Sequence, residues 1–187
     1  KPFGGLGGGT NAGYSVGGEI GPSPTVRYNT IEKFSFTSDG NATDHGDLRA
    51  TRFHTAGASS STDGYAMGGS AGSPFPQYDS NVDKFSFASN TTATAHGTLT
   101  RGRYGQTGLH SSTHGFAAGG YGTPPNGTKL SMIDKVAFAS NTGGTLHGDL
   151  MTTSTYRANN GACSNTDGFL IGGVEGAAST TIEKFPF

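Results

Sequence analysis

The sequence predicts an all-β fold built as an array of four equivalent units, and three observations predict it. A glycine-flanked apolar block, Gly13-Tyr14-Ser15-Val16-Gly17-Gly18, returns as Gly64-Tyr65-Ala66-Met67-Gly68-Gly69. It returns again as Gly115-Phe116-Ala117-Ala118-Gly119-Gly120 and Gly168-Phe169-Leu170-Ile171-Gly172-Gly173, at offsets of 51, 51 and 53 residues. Two further blocks keep step. One runs Ile31-Glu32-Lys33-Phe34-Ser35-Phe36 and recurs from Val82, Ile133 and Ile182; the other, His-Gly-(Asp/Thr)-Leu, starts at His45, His96 and His147. The third observation is local pattern: short alternating segments separated by polar turns, with no long helical period. A unit of this size cannot bury its apolar face alone, so the units must stack.

The second repeat shows the elements in order. Residues 52–60 are small and β-compatible, which suits an inner strand where neighbouring units crowd together. Ser61-Thr62-Asp63 is a polar turn. Residues 64–69 form a short apolar strand ending in a glycine pair, which permits positive φ or close backbone approach. Residues 81–87 alternate apolar and polar, the mark of a half-buried strand. Residues 90–95 make another polar turn, and His96-Gly97-Thr98-Leu99 begins a fourth, outer strand. Four-stranded meanders of about 50 residues, stacked radially, make a β-propeller. The expected blades are residues 1–50, 51–101, 102–154 and 155–187 of one repeat domain, the last lacking its outer strand. Two closures fit: a four-bladed ring, in which residues 1–9 lie against 158–164 or 168–173, or an arc of a larger ring completed by further sequence or another copy.

Glycine pair, hydrophobic-acidic-Lys-aromatic strand, Leu, then Arg and Gly before the next pair: this order resembles the kelch repeat over essentially the whole chain. The kelch tryptophan after the third strand is absent, and the chain has no tryptophan at all. Asp83-Lys84-Phe85-Ser86-Phe87-Ala88-Ser89 and Asp39-Gly40-Asn41-Ala42-Thr43-Asp44 resemble the tryptophan-free kelch-like repeats of marine phage tail-fibre and virion proteins. The resemblance implies a kelch-like β-propeller serving as a structural or recognition module, virion-borne or extracellular. It implies no enzymatic activity and no cofactor. The implied partners are a host-surface glycan or protein, other virion proteins, or further copies of the chain.

Composition bounds the alternatives. Hydrophobic residues make up 32% and glycines number 33, yet net charge is −1 and seven tyrosines and twelve phenylalanines recur in register. Disorder of low-hydrophobicity chains normally comes with high net charge, so a turn-rich folded chain is expected. There is no basic stripe for nucleic acid and no apolar run long enough to cross a bilayer as a helix. No signal-peptide pattern is seen, and a start at Lys1 marks a processed or excised product. The lone Cys163 excludes an internal disulfide framework and is expected as an inert thiol packed in a strand.

Candidate chemistry is sparse. His45, His96 and His147 each occupy the same place in a different unit, so they diverge instead of converging on one ion, and each is expected to bond its local turn. His54, His110 and His114 are out of register and read as surface residues. The oxygen-rich stretch from Asp39 to Asp47 has no carboxylate in its second-repeat equivalent, which argues against a shared calcium site. No metal site is expected. No G-x-S-x-G elbow frames a nucleophile, and the Asn-x-Ser/Thr sequons at Asn41, Asn90 and Asn126 match by composition. A glycan-processing enzyme therefore ranks last. Arg52 and Arg103 share register, with Lys1 in their column and Arg157 close to it. These cations either line a central channel or tie one unit to the next through backbone hydrogen bonds.

Binding is expected where the repeats diverge. The segments 19–30, 70–81, 121–132 and 174–181 vary freely and carry Arg27, Tyr28, Phe75, Gln77, Tyr78, Tyr121 and Lys129, stiffened by six prolines. Aromatic and polar residues on stiff loops over a rigid scaffold suit recognition of sugars or proteins. A cellular extracellular adhesion or matrix propeller is the alternative to the virion reading, because one fold hosts many functions.

Overall fold

The computed structural model describes residues 4–8, 11–21, 25–71, 78–122, 128–151, 160–173 and 180–187, with 4–8 and 160 as backbone alone. These residues form strands and turns, with no helix among them. In the first repeat, β1 (Gly4–Gly8), β2 (Ala12–Ile20), β3 (Val26–Ser35) and β4 (Thr43–Asp47) pair in that order as an antiparallel meander. The second repeat does the same with β5 (Ala56–Ser59), β6 (Asp63–Ser70), β7 (Tyr78–Ser86) and β8 (Thr94–Thr98). The third contains β9 (Arg103–Tyr104), β10 (Thr107–His110), β11 (His114–Ala118), β12 (Tyr121–Gly122), β13 (Thr128–Lys129), β14 (Met132–Ala137) and β15 (Thr145–Asp149). Its meander is β10-β11-β14-β15, and β13-β12-β9 makes a small ribbon beside it. The fourth sheet has three strands, β16 (Asn160–Cys163), β17 (Asp167–Ile171) and β18 (Ile182–Pro186).

The glycine pairs sit where the pairing register shifts, between Val16 and Gly18 and between Met67 and Gly69. Both members take positive φ, +58° and +108° at Gly68 and Gly69, a conformation that glycine adopts without steric cost. The bulge also lets the next repeat come close: a Cβ on Gly68 would stand 2.8 Å from the Arg103 carbonyl oxygen. In the first repeat the Gly18 amide donates to the Arg52 carbonyl at 2.7 Å.

The sheets bury their faces against each other in three clusters, each joining one repeat to the next. Tyr14, Val16, Ile31 and Leu48 meet Ala66, Phe85 and Phe87. Tyr65, Met67, Val82 and Leu99 meet Ala117, Val136 and Phe138. Leu109, Phe116, Ala118 and Ile133 meet Leu170, Phe185 and Phe187. Across each interface two rings stack: Tyr14 on Phe87, Tyr65 on Phe138 and Phe116 on Phe187, at 4.7, 4.5 and 4.7 Å between centroids.

Polar ties repeat with the same regularity. His45, His96 and His147 each bring Nε2 to a backbone carbonyl of the following repeat, at Ser86, Ala137 and Pro186 (2.8, 2.9 and 2.8 Å). This corrects the expectation of a bond to the local turn. The fourth strand is the outermost of its sheet and stands beside the next sheet, so its histidine reaches across.

Two further expectations change. Cys163 is exposed instead of packed: it ends β16 opposite Gly168, where it lines a serine-rich cleft at the strand ends. The inner strands contact one another in the order β1, β5, β10, β16, and β1 makes no comparable contact with β16. β1 pairs with β2 alone. No closed sheet forms among the described residues, and the outward faces of the first and fourth sheets do not meet.

Candidate functional site

Two groups of side chains gather at the loop end of the sheets, and they have opposite character. The first is a buried charge network. Arg52 and Arg103 are 1% and 0% exposed, held within their own sheets and facing no open channel. The Arg52 guanidinium pairs with Asp83, lies 3.2 Å from Asp79 and donates to the carbonyls of Gly68 and Asn81 at 3.3 and 3.1 Å. Arg103 pairs with Asp134 at 3.0 Å and donates to Ala117 and Met132. Burial pulls the Arg103 guanidinium below its ordinary range; Asp134 opposes that shift and Arg101 adds to it.

The carboxylates then reach back to the preceding repeat. The Arg49 amide and Nε donate to Asp83 at 3.0 and 2.7 Å, and the Thr100 amide donates to Asp134 at 2.8 Å. In the fourth repeat Glu183 accepts the Met151 amide at 2.7 Å. The arginines thus hold the acids, and the acids hold the neighbouring repeat. Arg157 lies outside the described residues. The network is buried within the sheets, and although the Nε atoms of Arg52 and Arg103 have no hydrogen-bond partner, both guanidiniums spend their terminal nitrogens on carboxylates and carbonyls, so its work is structural.

The second group is a strip of rings. Arg27 stands 5.2 Å over the Phe53 ring, and Phe53 packs against His54 at 4.9 Å. His54 stacks on Tyr104 at 5.9 Å, and Tyr104 stacks on Tyr78 at 5.3 Å with planes 8° apart. Tyr121 closes the strip edge-on, 6.1 Å from Tyr78 and 5.9 Å from Tyr104. The backbone explains the gathering. Tyr121 is the register partner of both Tyr104 and Lys129 in the small ribbon, and Phe53 bridges to Ser70, itself the partner of Tyr78. Three repeats contribute to one surface.

Phe53 and Tyr104 are buried and form the floor; Arg27, His54, Tyr78, Tyr121 and Lys129 are half-buried and line the exposed side. His54 takes φ +54°, the sole positive value among described non-glycine residues, and its column mate Gly105 takes +68°. The position demands a left-handed residue, and the second repeat fills it with an imidazole at a cost of about 1–3 kcal/mol. Of the residues singled out from sequence, Arg27, Tyr78, Tyr121 and Lys129 come together here. Tyr28 is half-buried on β3 opposite Gly18, and Phe75 and Gln77 lie outside the described residues. His54, read from sequence as a surface residue, is half-buried here; Phe53 and Tyr104 were not singled out, although aromatics directly after Arg52 and Arg103 in one column were a readable signal.

The opposite ends of the inner strands border a half-open cleft of about 800 Å³ lined by Ser60, His110, Ser111, Cys163 and Ser164 among others. Three of its serines are engaged in their own turns. Ser60 Oγ accepts the Asp63 amide, Ser111 Oγ the His114 amide and Ser164 Oγ the Asp167 amide, at 3.0, 3.1 and 3.0 Å. Burial lowers the His110 pKa; burial, then Lys135 and His147, lower that of His114. Both are half-buried, correcting the surface reading. Among the described residues no group of three His, Cys, Asp or Glu side chains is placed to hold a metal ion. Among the same residues no helix is long and apolar enough to cross a membrane. No protein-family model and no curated protein matches the chain.

Proposed function

We propose that this protein is a non-enzymatic recognition module of kelch-like propeller type, its sheets serving as blades, carried on a phage tail fibre or similar virion appendage. The strip at the loop end is its binding surface, and a host-surface glycan or protein is the partner. The observation that carries this reading is the aromatic strip in which half-buried His54, Tyr78 and Tyr121, flanked by Arg27, are held on the buried rings of Phe53 and Tyr104. Flat rings stack on the apolar faces of sugars, while a guanidinium and phenolic hydroxyls select by hydrogen bonding. A floor buried between sheets holds those rings in place before a ligand arrives, which limits the ordering cost of binding. Display of several such surfaces on one appendage would raise weak contacts to useful avidity.

A glycan array probed with the labelled chain, alongside Tyr78→Ala, Tyr121→Ala and His110→Ala, tests this. The reading expects binding that both tyrosine variants lose and His110→Ala keeps. Binding lost with His110→Ala and retained in the tyrosine variants would move the site to the serine-lined cleft. The alternative of a cellular adhesion or filament-forming propeller draws on the uncovered outer faces of the first and fourth sheets.

A further inference from the structure

The first and fourth sheets expose the two complementary halves of a contact that the chain makes three times internally. One half is the Tyr14, Val16, Ile31 column set, buried in repeats one to three. Its fourth-repeat members are Phe169, Ile171 and Ile182, and Ile171 and Ile182 are 44% and 67% exposed. The other half is the Phe85, Phe87 set, covered in repeats two to four. Its first-repeat members, Phe34 and Phe36, are 40% and 56% exposed.

Both open halves already hold the geometry of the closed ones. Phe34 and Phe36 meet edge-on at 5.7 Å and 76°, as Phe85 and Phe87 do at 5.9 Å and 75° and Phe185 and Phe187 at 5.8 Å and 73°. Lys184 lies 6.0 Å over the Phe169 ring, as Lys84 does over Tyr65 and Lys33 over Tyr14. Neither half needs rearrangement to receive its complement.

We propose that a second copy of this chain docks head-to-tail, Phe169, Ile171 and Ile182 of one copy packing on Phe34 and Phe36 of the next. A second copy is the occupant because the sole surface shown to fit each half is the other half, three times over within this chain. The contact is heterologous, so it propagates to a ring or a filament instead of stopping at a two-fold dimer. It does not depend on the glycan reading.

Light scattering after size exclusion, over a concentration series, tests the proposal with Phe36→Glu and Ile182→Glu. Both positions are exposed in the single chain, so each variant should fold, checked by circular dichroism. The wild-type chain is expected to grow with concentration beyond the 19.0 kDa of one chain. Each variant alone should stay monomeric. Their mixture should give a species of twice the chain mass and no larger, because it holds one intact half of each kind. A wild-type monomer at every concentration, association by either variant alone, or no complex on mixing would overturn the proposal.

Discussion

The second and fourth repeats carry the same motif and meet different fates. Val82 and Ile182 share a column, yet one is fully buried and the other 67% exposed. Ala162 lies exposed on the inner strand of the fourth repeat, while its equivalent Ala58 lies buried on that strand of the second. The difference is not in the residues, which are as apolar in one place as in the other. It lies in the neighbour: a repeat has a core only where the next repeat supplies half of it. Stability in such a molecule belongs to interfaces between sheets, and the end sheets are held by one interface each.

The largest effect should come from breaking the buried charge network of the second repeat. Asp83→Ala leaves Arg52 buried without its main partner and removes the acceptor for Arg49, at a cost of about 3–5 kcal/mol in chemical unfolding. The corresponding change in the fourth repeat, Glu183→Ala, acts on a half-buried carboxylate that accepts the Met151 amide at an exposed place and should cost less than Asp83→Ala.

The core columns sharpen the same contrast. Ile133→Ala, inside the third interface, should cost about 2–5 kcal/mol, whereas Ile182→Ala at low protein concentration should stay within about 0.5 kcal/mol. Equal losses at the two positions would mean that the fourth sheet is covered after all. Glycines divide likewise. Gly68→Ala forces a side chain into φ +58° against the Arg103 carbonyl and should cost at least about 1 kcal/mol. Gly148, on β15, has open space around its added Cβ, so Gly148→Ala should leave the thermal midpoint unchanged.

The smallest effect is a pH dependence. His110 and His114 have folded pKa values below the ordinary one, so the unfolded chain binds protons more readily. Stability is therefore lost as pH falls through about 6.5 toward the lower folded values, and is level above it for these groups. Thermal midpoints of wild type and His110→Ala across that window should converge toward acid as the penalty on His110 grows.

The strands and bulges were legible because each depends on local chemistry: alternation along residues 81–87, glycine pairs at positive φ, serine-centred turns. Partners across repeats were not. A period shows that His45, His96 and His147 are equivalent, and equivalence does not say which carbonyl each one meets. Arg52 and Arg103 showed a shared column, but only folding places Asp83 and Asp134 beside them. Phe53 and Tyr104 stood in a segment whose small residues dominated its reading, so the floor of the strip went unseen while its rim, Tyr78 and Tyr121, was picked out from loop composition.

Amide hydrogen exchange on the unmodified chain, followed strand by strand over a concentration series, tests most directly the claim that neighbours make the core. At the lowest concentration β17 and β18 should exchange well ahead of β11 and β14, and the gap should narrow as copies associate. Protection of β17 and β18 equal to that of β11 and β14 in dilute solution would contradict the account.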